Sequence, residues 1–541
     1  MTSVGTNLQL FIKKLSIRLA GLLTDWRTIR LANQVAHHSG VDGHKKPIII
    51  FNASTRLNTL SLNAGFALLA SYAIRLSGRQ VIHFICQAGM SRCVLGTDQN
   101  DFQAEPPCQA CVRQSRVDTW AARTHPFIYQ EDPALVNLLH GLNLKNLVEF
   151  TYSFYGKDLP LGALVLPSIR WRLRLHNLEN NEATCFLMRQ YLLSAWNVAR
   201  EFSSLLEQID PQAVLVFNGM FFPEAVVRWI CKERGIFSVT HEVGLQPLHG
   251  FFTPGEATAY PISIPEDFQL DDNQNKRLDS YLENRLKGNF SMAGIRFWPE
   301  MIGLDQVFLE KAARFKQIVP VFSNVIFDTS QPHSNIVFED MFAWLDLIQD
   351  LVRQHPETLF VLRAHPDEKR PGKESQQNVS NWVQKNGLLD LDNLVFVDSL
   401  ELISSYELIE RSKFIMIYNS TIGLEAAILG KAVLCGGRSR FTSIPTVFFP
   451  GSPEAYRLQA EEFLRSDQIQ VPREFAENAR RFLYFQLYKS SLPFDEFLEP
   501  SRVPGVVQLK PIHWQSIRDA EVLKVLISGL VDQTPFLFTR D

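Results

Sequence analysis

No uncharged apolar run in this chain approaches the roughly 20 residues that a membrane-spanning helix needs. Glycine-rich phosphate cradles are missing as well: neither a P-loop nor the dinucleotide fingerprint G-x-G-x-x-G occurs. No HExxH or comparable ligand set points to a catalytic metal, so no cofactor is expected. The net charge is only -3, and no basic stripe interleaves with aromatics, which removes the electrostatic case for nucleic acid. Cysteine is sparse and odd in number; seven scattered thiols fit a reducing compartment better than a disulfide framework. The N-terminus shows no small-residue cleavage site behind a proper apolar stretch, so a cytoplasmic protein is expected. Internal repeats and low-complexity tracts are absent too.

What is present has the make-up of a large α/β enzyme. Hydrophobic residues at 46% and charged residues at 21% are ordinary for a globular chain, and 541 residues exceed a single core, which predicts two large domains plus extensions. The most informative stretch is Lys413 to Gly437, KFIMIYNSTIGLEAAILGKAVLCGG. Phe414 to Tyr418 reads as a strand buried on both faces, Ile422 to Leu429 as a short helix, and Ala432 to Cys435 as the next strand. Gly430 is placed to end the helix as a left-handed cap. Ser420 and Thr421 then stand at a strand's carboxyl end beside helix N–H groups, where a phosphate could be held; equally, Asn419 and Ser420 could merely cap the helix.

Upstream segments favour the phosphate. Leu359 to Leu362 is another buried-strand run, followed by Arg363-Ala364-His365-Pro366, and Pro366 stops the strand so that His365 stands at the same edge. Ile318 to Phe322 runs into Ser323-Asn324 before an amphipathic helix over Phe338 to Val352. Three strand ends therefore offer polar groups to one crevice of a doubly wound sheet. The N-terminal half repeats the alternation: strands at Pro47 to Asn52, Gln80 to Cys86, Gln212 to Asn218 and Phe237 to His241, with helices over Leu60 to Ser77 and Pro223 to Arg234. The expected layout is an N-terminal helix region (1–40), a first Rossmann-like domain (41–265), a polar connecting segment (266–310), a second Rossmann-like domain (311–490) and a C-terminal extension (491–541). Phe475 to Leu492 reads as an aromatic-rich helix followed by a proline-containing tail.

Two such domains facing across a cleft are the architecture of GT-B glycosyltransferases. Residues 318–437 resemble, more specifically, the bacterial capsular-polysaccharide glycosyltransferases of the Kdo-transferase and sialyltransferase type, through His365-Pro366 and Ser420-Thr421. The resemblance implies metal-independent transfer of a sugar, such as a CMP-linked acidic sugar, from a nucleotide donor to a surface polysaccharide or lipid-linked glycan. It implies that Ser420 and Thr421 donate to the donor phosphate, that His365 donates to it or protonates the leaving group, and that Arg363 contacts the base. Ser323, Asn324 and Pro366 complete the donor edge, with Asp398 to Glu401 a further ribose or base contact. Glu425, one turn into the helix, would hold ribose hydroxyls or pair with Lys431. Glycerophosphotransferases and sugar-nucleotide epimerases share this architecture, and a non-catalytic glycan- or nucleotide-binding subunit of an export assembly would keep the phosphate groups but lack a working base.

The acceptor hydroxyl needs a general base from the N-terminal domain. Glu242 is the first choice and His241 the second, because both follow the strand Phe237 to Thr240, with Gly244 marking a tight turn. Asn52, Ser54 and Thr55, after the first strand, are candidates to bind acceptor sugar. Asp390-Leu391-Asp392 spells the Asp-x-Asp of metal-dependent transferases, but it precedes a strand and reads as a surface turn. Cys86, Cys93, Cys108 and Cys111 fall within 26 residues and could bind a structural zinc, although plain reduced thiols are the preferred reading. Finally, Leu8, Phe11, Ile12, Leu15, Leu19, Leu22 and Leu23 share one helical face, with Lys13, Lys14 and Arg18 elsewhere. That helix either lies peripherally at the inner face of a membrane or packs on the domain, and packing is preferred.

Overall fold

The computed structural model describes residues 2–286, 291–292, 295–296 and 302–538, with side chains described over 17–285 and 302–538. The N-terminal sheet is built on β1 (Ile48–Phe51), β2 (Val81–Cys86), β3 (Arg123–Phe127), β4 (Ala213–Phe217) and β5 (Ser238–Val243), all parallel, in the order β5-β4-β1-β2-β3. β6 (His249–Thr253) turns back antiparallel to β5, and the Gly244 N–H closes that turn on the His249 carbonyl at 2.7 Å. The C-terminal sheet contains β7 (Gln317–Phe322), β8 (Thr358–Arg363), β9 (Leu394–Val397), β10 (Ile415–Ile417) and β11 (Val433–Cys435). Its order is β9-β8-β7-β10-β11, again all parallel. The protein therefore has two Rossmann-like α/β units, as the alternating pattern predicts.

Strand chemistry explains the layering. β1, β4 and β8 are buried along their whole length, as strands covered by helices on both faces must be. The covering helices present matching apolar stripes: Met341–Gln354 starts on an Asp340 cap and buries Trp344, Leu345, Ile348, Leu351 and Val352. In both sheets the first strand lies between the second and the fourth. The strand order reverses there, leaving a crevice outside the carboxyl ends of β1/β4 in one unit and of β7/β10 in the other.

Some elements escaped the sequence pattern. β3 (RTHPF) is polar, contains a proline and lies at a sheet edge, so it carries no buried-strand signature. The Glu182–Gln208 helix, 27 residues long, covers the N-terminal sheet in a stretch that the alternating pattern passes over. The aromatic-rich helix spans Arg473–Tyr488 rather than reaching Leu492, because the chain then extends as β12 (Ser491–Pro493). β12 adds to the N-terminal sheet, antiparallel to β6. Residues beyond it are more than a tail: Leu498–Pro500 and Val506–Leu509 form a small sheet with Leu60–Ser61, and Glu521–Val531 packs on the Leu62–Leu76 helix.

The Thr2–His38 helix packs its later turns on the N-terminal unit through buried Leu31, Ala32 and Val35, with Arg27 donating to the Leu509 carbonyl at 2.8 Å. Leu19, Leu22, Leu23 and Trp26 are exposed. The side chains of Leu8, Phe11, Ile12, Lys13, Lys14 and Leu15 lie outside the described residues. In the connecting segment, Asp272–Leu286 is a helix held to Arg473–Tyr488 by Arg480, which reaches Asp279 at 2.7 Å. No described helix is long and apolar enough to cross a membrane.

Candidate functional site

The ends of β8, β7 and β10 are adjacent, so Arg363/His365, Ser323/Asn324 and Ser420/Thr421 line one edge. Two of these groups form a frame. Ser323 donates from its backbone N–H and its hydroxyl to the Arg363 carbonyl, at 3.2 and 3.0 Å. Asn324 Nδ2 donates to Asn419 Oδ1 at 2.6 Å, across the point where strand order reverses, and Asn419 Nδ2 donates on to Ser334 Oγ at 2.7 Å. On that frame His365 is extended (φ -72°, ψ 133°), as a residue before proline should be, and Pro366 opens a short 3-10 turn. His365 Nδ1 accepts the Asp367 N–H at 3.1 Å. A neutral His365 consequently carries its proton on Nε2, ready to donate. Burial lowers its pKa, with Arg363 acting in the same direction.

Ser420 and Thr421 are half-buried at the mouth of the Ile422–Ile428 helix, with no side-chain partner among the described residues. Gly423 lets this helix lie against β10, since a Cβ there would come within 2.3 Å of Ile417 Cδ1, and Gly430 ends the helix at φ +75°. Arg363 is anchored elsewhere: its buried guanidinium donates to the Ile403 carbonyl beside Glu401, and burial brings its pKa down to about 10. Glu425 is buried and engaged at both oxygens, by Arg285 Nε at 2.6 Å and by the Tyr406 hydroxyl. Lys431, its other suggested partner, instead donates to the Glu410 and Ser412 carbonyls. Asp398 pairs with Lys369 at 2.7 Å.

Across the crevice, Glu242 closes β5. Its carboxylate accepts from Asn218 Nδ2 at 2.8 Å, from the Val243 N–H at 2.9 Å and from Asn63 Nδ2 at 3.3 Å. Burial nevertheless raises its pKa, which is what a general base working near neutrality requires. His241, one residue earlier, points to the opposite face of the strand. It is fully buried among Phe66, Phe217 and Phe252, has no partner at either ring nitrogen, and is driven down to about 3 by burial. This placement makes it a core residue and corrects its nomination as a base. Asn52 is also wholly buried, its amide unpartnered. Ser54 donates its N–H and hydroxyl to Glu224 at 2.7 and 2.9 Å, and Thr55 donates to the Asn52 carbonyl at 2.9 Å. The Ser54 and Thr55 hydroxyls therefore shape the loop after β1 instead of being free for a ligand, and Asn52 is enclosed beneath it.

The residues that join the two edges were not visible in the strand-end pattern. The exposed Asp328, six residues past β7, accepts the Ser330 N–H at 2.8 Å and brings a negative charge near Glu242, Tyr260, His365 and Arg440. Arg440 stacks 3.9 Å over Tyr260, whose hydroxyl donates to the Val243 carbonyl at 2.7 Å. Arg174 lies under Phe327 at 4.7 Å, nearly buried, with Nε and Nη1 unpartnered and its pKa lowered to about 10, chiefly by burial. Asn218 Nδ2 approaches Thr329 Oγ1 at 3.4 Å, and His333 bridges to Thr258 and Glu256 at 2.9 and 3.1 Å. The run Arg170-Trp171-Arg172-Leu173-Arg174 was the sequence signal for cations here; Asp328 left none.

Asp390 and Asp392 are exposed before β9, and Asp392 forms a surface ion pair with Arg314 at 3.2 Å. All seven cysteines are free thiols.

Residues 300–462 match the family model of capsule polysaccharide biosynthesis proteins. The matched segment contains β7 to β11, His365-Pro366 and Ser420-Thr421. Protein FixF of Sinorhizobium fredii is 27% identical over 300 residues, which cover 54% of this chain and 62% of FixF; the match thus spans less than two thirds of that relative. Among solved structures, the KpsC β-Kdo 2,7 transferase of Thermosulfurimonas dismutans aligns with 62% of this chain and 89% of its own, at 15% identity and a TM-score of 0.32. The UDP-GlcNAc 2-epimerase of Neisseria meningitidis aligns with 81% and 98%, at 13% identity and a TM-score of 0.25.

Proposed function

We propose that this protein is a metal-independent GT-B glycosyltransferase that moves a sugar from a nucleotide-activated donor to a surface polysaccharide or glycolipid acceptor. The observation carrying this reading is that the loop after β7, on the edge that holds His365, meets the Glu242 network directly: Asn218 Nδ2 donates to Glu242 at 2.8 Å and approaches Thr329 Oγ1 at 3.4 Å. In the proposed reaction the acceptor oxygen attacks the anomeric carbon while the bond from that carbon to the donor phosphate oxygen breaks. The acceptor's proton passes to Glu242. The departing phosphate keeps the bonding electrons and is met by His365 Nε2–H and the Ser420 and Thr421 hydroxyls. Donors already in place when charge develops stabilise the transition state without reorganising.

The donor we assign is a CMP-linked acidic sugar, on the resemblance carried by His365-Pro366 and Ser420-Thr421. Arg174 and Arg440 are added as cations for the donor's negative charge, since Arg174 is buried with unpartnered guanidinium nitrogens and Arg440 is half-buried beside Tyr260. Thermal stabilisation by CMP, CDP, UDP and GDP tests the assignment, because a ligand of the native state alone raises the melting temperature. Stabilisation by CMP above the others is expected; stabilisation by UDP alone would replace the donor, and none by any nucleotide would remove the donor site.

A further inference from the structure

A second constellation lies on the far side of the N-terminal sheet from β5. β2 ends at Cys86, the chain turns through Cys93, and after Pro106-Pro107 the Cys108–Asp118 helix begins with Cys108-x-x-Cys111. All four cysteines line one small cavity of about 30 Å³, too small for a nucleotide or a sugar but ample for a single ion.

Two of the four sit in matching turns. In Cys86-x-x-Gly89 the Gly89 N–H donates to Cys86 Sγ at 3.3 Å, and in Cys93-x-x-Gly96 the Gly96 N–H donates to Cys93 Sγ at 3.2 Å. Both glycines are required by close approach. A Cβ at Gly89 would fall 2.2 Å from the Phe127 ring, and one at Gly96 would fall 2.6 Å from Pro106 Cβ and 3.0 Å from Cys93 Sγ. Burial pushes all four thiols up and keeps them protonated, and the Gly89 and Gly96 amides aimed at Cys86 and Cys93 offset part of that effect, because a thiolate is the stronger acceptor. The cavity also holds a counter-charge. Arg56 is 7% exposed, lines the same space, lacks a hydrogen bond at Nε, and has only a long 3.7 Å contact to Asp118.

We propose that Cys86, Cys93, Cys108 and Cys111 form a structural four-thiolate zinc site that pins the 86–111 segment against the loop following β1. Zinc binding converts four thiols to thiolates and releases four protons to solvent, leaving a site of charge 2−, which Arg56 partly offsets. As thiols the four do not yet converge: among the described residues no group of three or more His, Cys, Asp or Glu side chains is arranged to hold an ion. The four thiols already share one cavity, on two short turns and the first turn of a helix, and zinc binding draws them together. The same helix also holds the loop after β1, since Gln114 Oε1 accepts the Thr59 N–H at 3.0 Å, whereas the bond that the Cys111 thiol donates to the Arg56 carbonyl at 3.3 Å is given up when zinc displaces its proton.

The test is metal analysis of the full chain purified without added metal. About one zinc per chain is expected, falling to near zero in Cys108→Ser/Cys111→Ser and unchanged in Cys231→Ser, whose thiol lies elsewhere in the core. Should the double variant fail to fold, wild-type protein stripped of metal and titrated with cobalt gives the second readout. Intense thiolate-to-cobalt and tetrahedral bands at one equivalent support the site. Metal-free protein that melts at the same temperature with and without zinc, shows no such bands, and either titrates as seven free thiols or has lost two to a disulfide would overturn it.

Discussion

Replacing Glu242 with glutamine separates base catalysis from donor binding, and the structure supplies the magnitudes. One carboxylate oxygen accepts from the Val243 N–H and Asn63, and the other accepts from Asn218. Glutamine keeps an oxygen at the first position and places an N–H₂ at the second, opposite the Asn218 amide. Asn218 cannot simply flip to accept it, because its Oδ1 already accepts the Met220 N–H at 3.0 Å. The loss of one hydrogen bond with an unsatisfied donor costs about 1–3 kcal/mol. An opposing effect is present in the wild type. Burial raises the Glu242 pKa, so the folded state holds its proton more tightly than the unfolded state, and stability falls as pH rises from the unfolded carboxylate value through the raised folded one. Glutamine removes that neutral-pH penalty, which offsets part of this cost, and a folded variant at pH 7 is expected. Turnover should fall by a factor on the order of 10²–10⁴ while nucleotide affinity holds. In the wild type, kcat/KM should rise with pH through a limb displaced upward from an ordinary carboxylate. Calorimetry with nucleotide, run beside sugar transfer to acceptor, reads both quantities. Near-normal transfer by Glu242→Gln would refute the assignment of the base.

Ser420→Ala with Thr421→Ala should weaken nucleotide binding by up to about 3–6 kcal/mol in a folded protein, and unchanged calorimetric affinity would remove the anion site. His365→Ala should lower affinity and turnover together, since its Nε2 donor serves ground and transition state alike; a turnover defect alone would confine it to the transition state. Glu425→Ala breaks a buried ion pair with Arg285 and should cost about 3–5 kcal/mol in melting experiments while nucleotide affinity of the folded fraction persists; lost affinity would restore the ribose role. Glu224 and Glu368 are buried carboxyls pushed up to about 7 and about 8, so each favours the folded state below the unfolded pKa and loses that contribution as pH rises to those values. Melting temperatures at pH 5 and pH 8 should therefore fall less in Glu224→Gln and Glu368→Gln than in the wild type. Transfer should survive EDTA, and complete loss reversed by magnesium would return attention to Asp390 and Asp392.

The buried parallel strands were legible because a strand covered on both faces has no alternative but a continuous apolar run, as in Leu359 to Leu362 and Phe414 to Tyr418. The residues at their carboxyl ends were legible for the same reason, being the first polar groups after such a run. What those side chains do was not. Alternation along β5 sends His241 into the core and Glu242 out of it, a one-residue distinction that the strand-end rule does not make. Asn52, Ser54, Thr55 and Glu425 look like ligand-binding groups in one dimension and are occupied by partners, or enclosed, in three. Asp328 and Arg174 lie in loops with no period to read, and only the meeting of the two units makes them neighbours. The C-terminal strands are short and lean on a sheet more than two hundred residues away, so no local pattern announces them.

That late return has a consequence for biogenesis. The sheet begun at Ile48 receives its last strand only when Ser491–Pro493 emerges, and the groove beside Leu62–Leu76 is filled by Glu521–Val531 later still. On the ribosome the C-terminal α/β unit can finish its own sheet first, while the earlier unit waits with the edge of β6 and an apolar surface open. Such an intermediate has high contact order and an unpaired strand, the features that slow folding and recruit chaperones. Residues 41–265 expressed alone should inherit that unfinished state permanently and aggregate, whereas co-expression with a fragment carrying residues 466–541 should rescue their solubility.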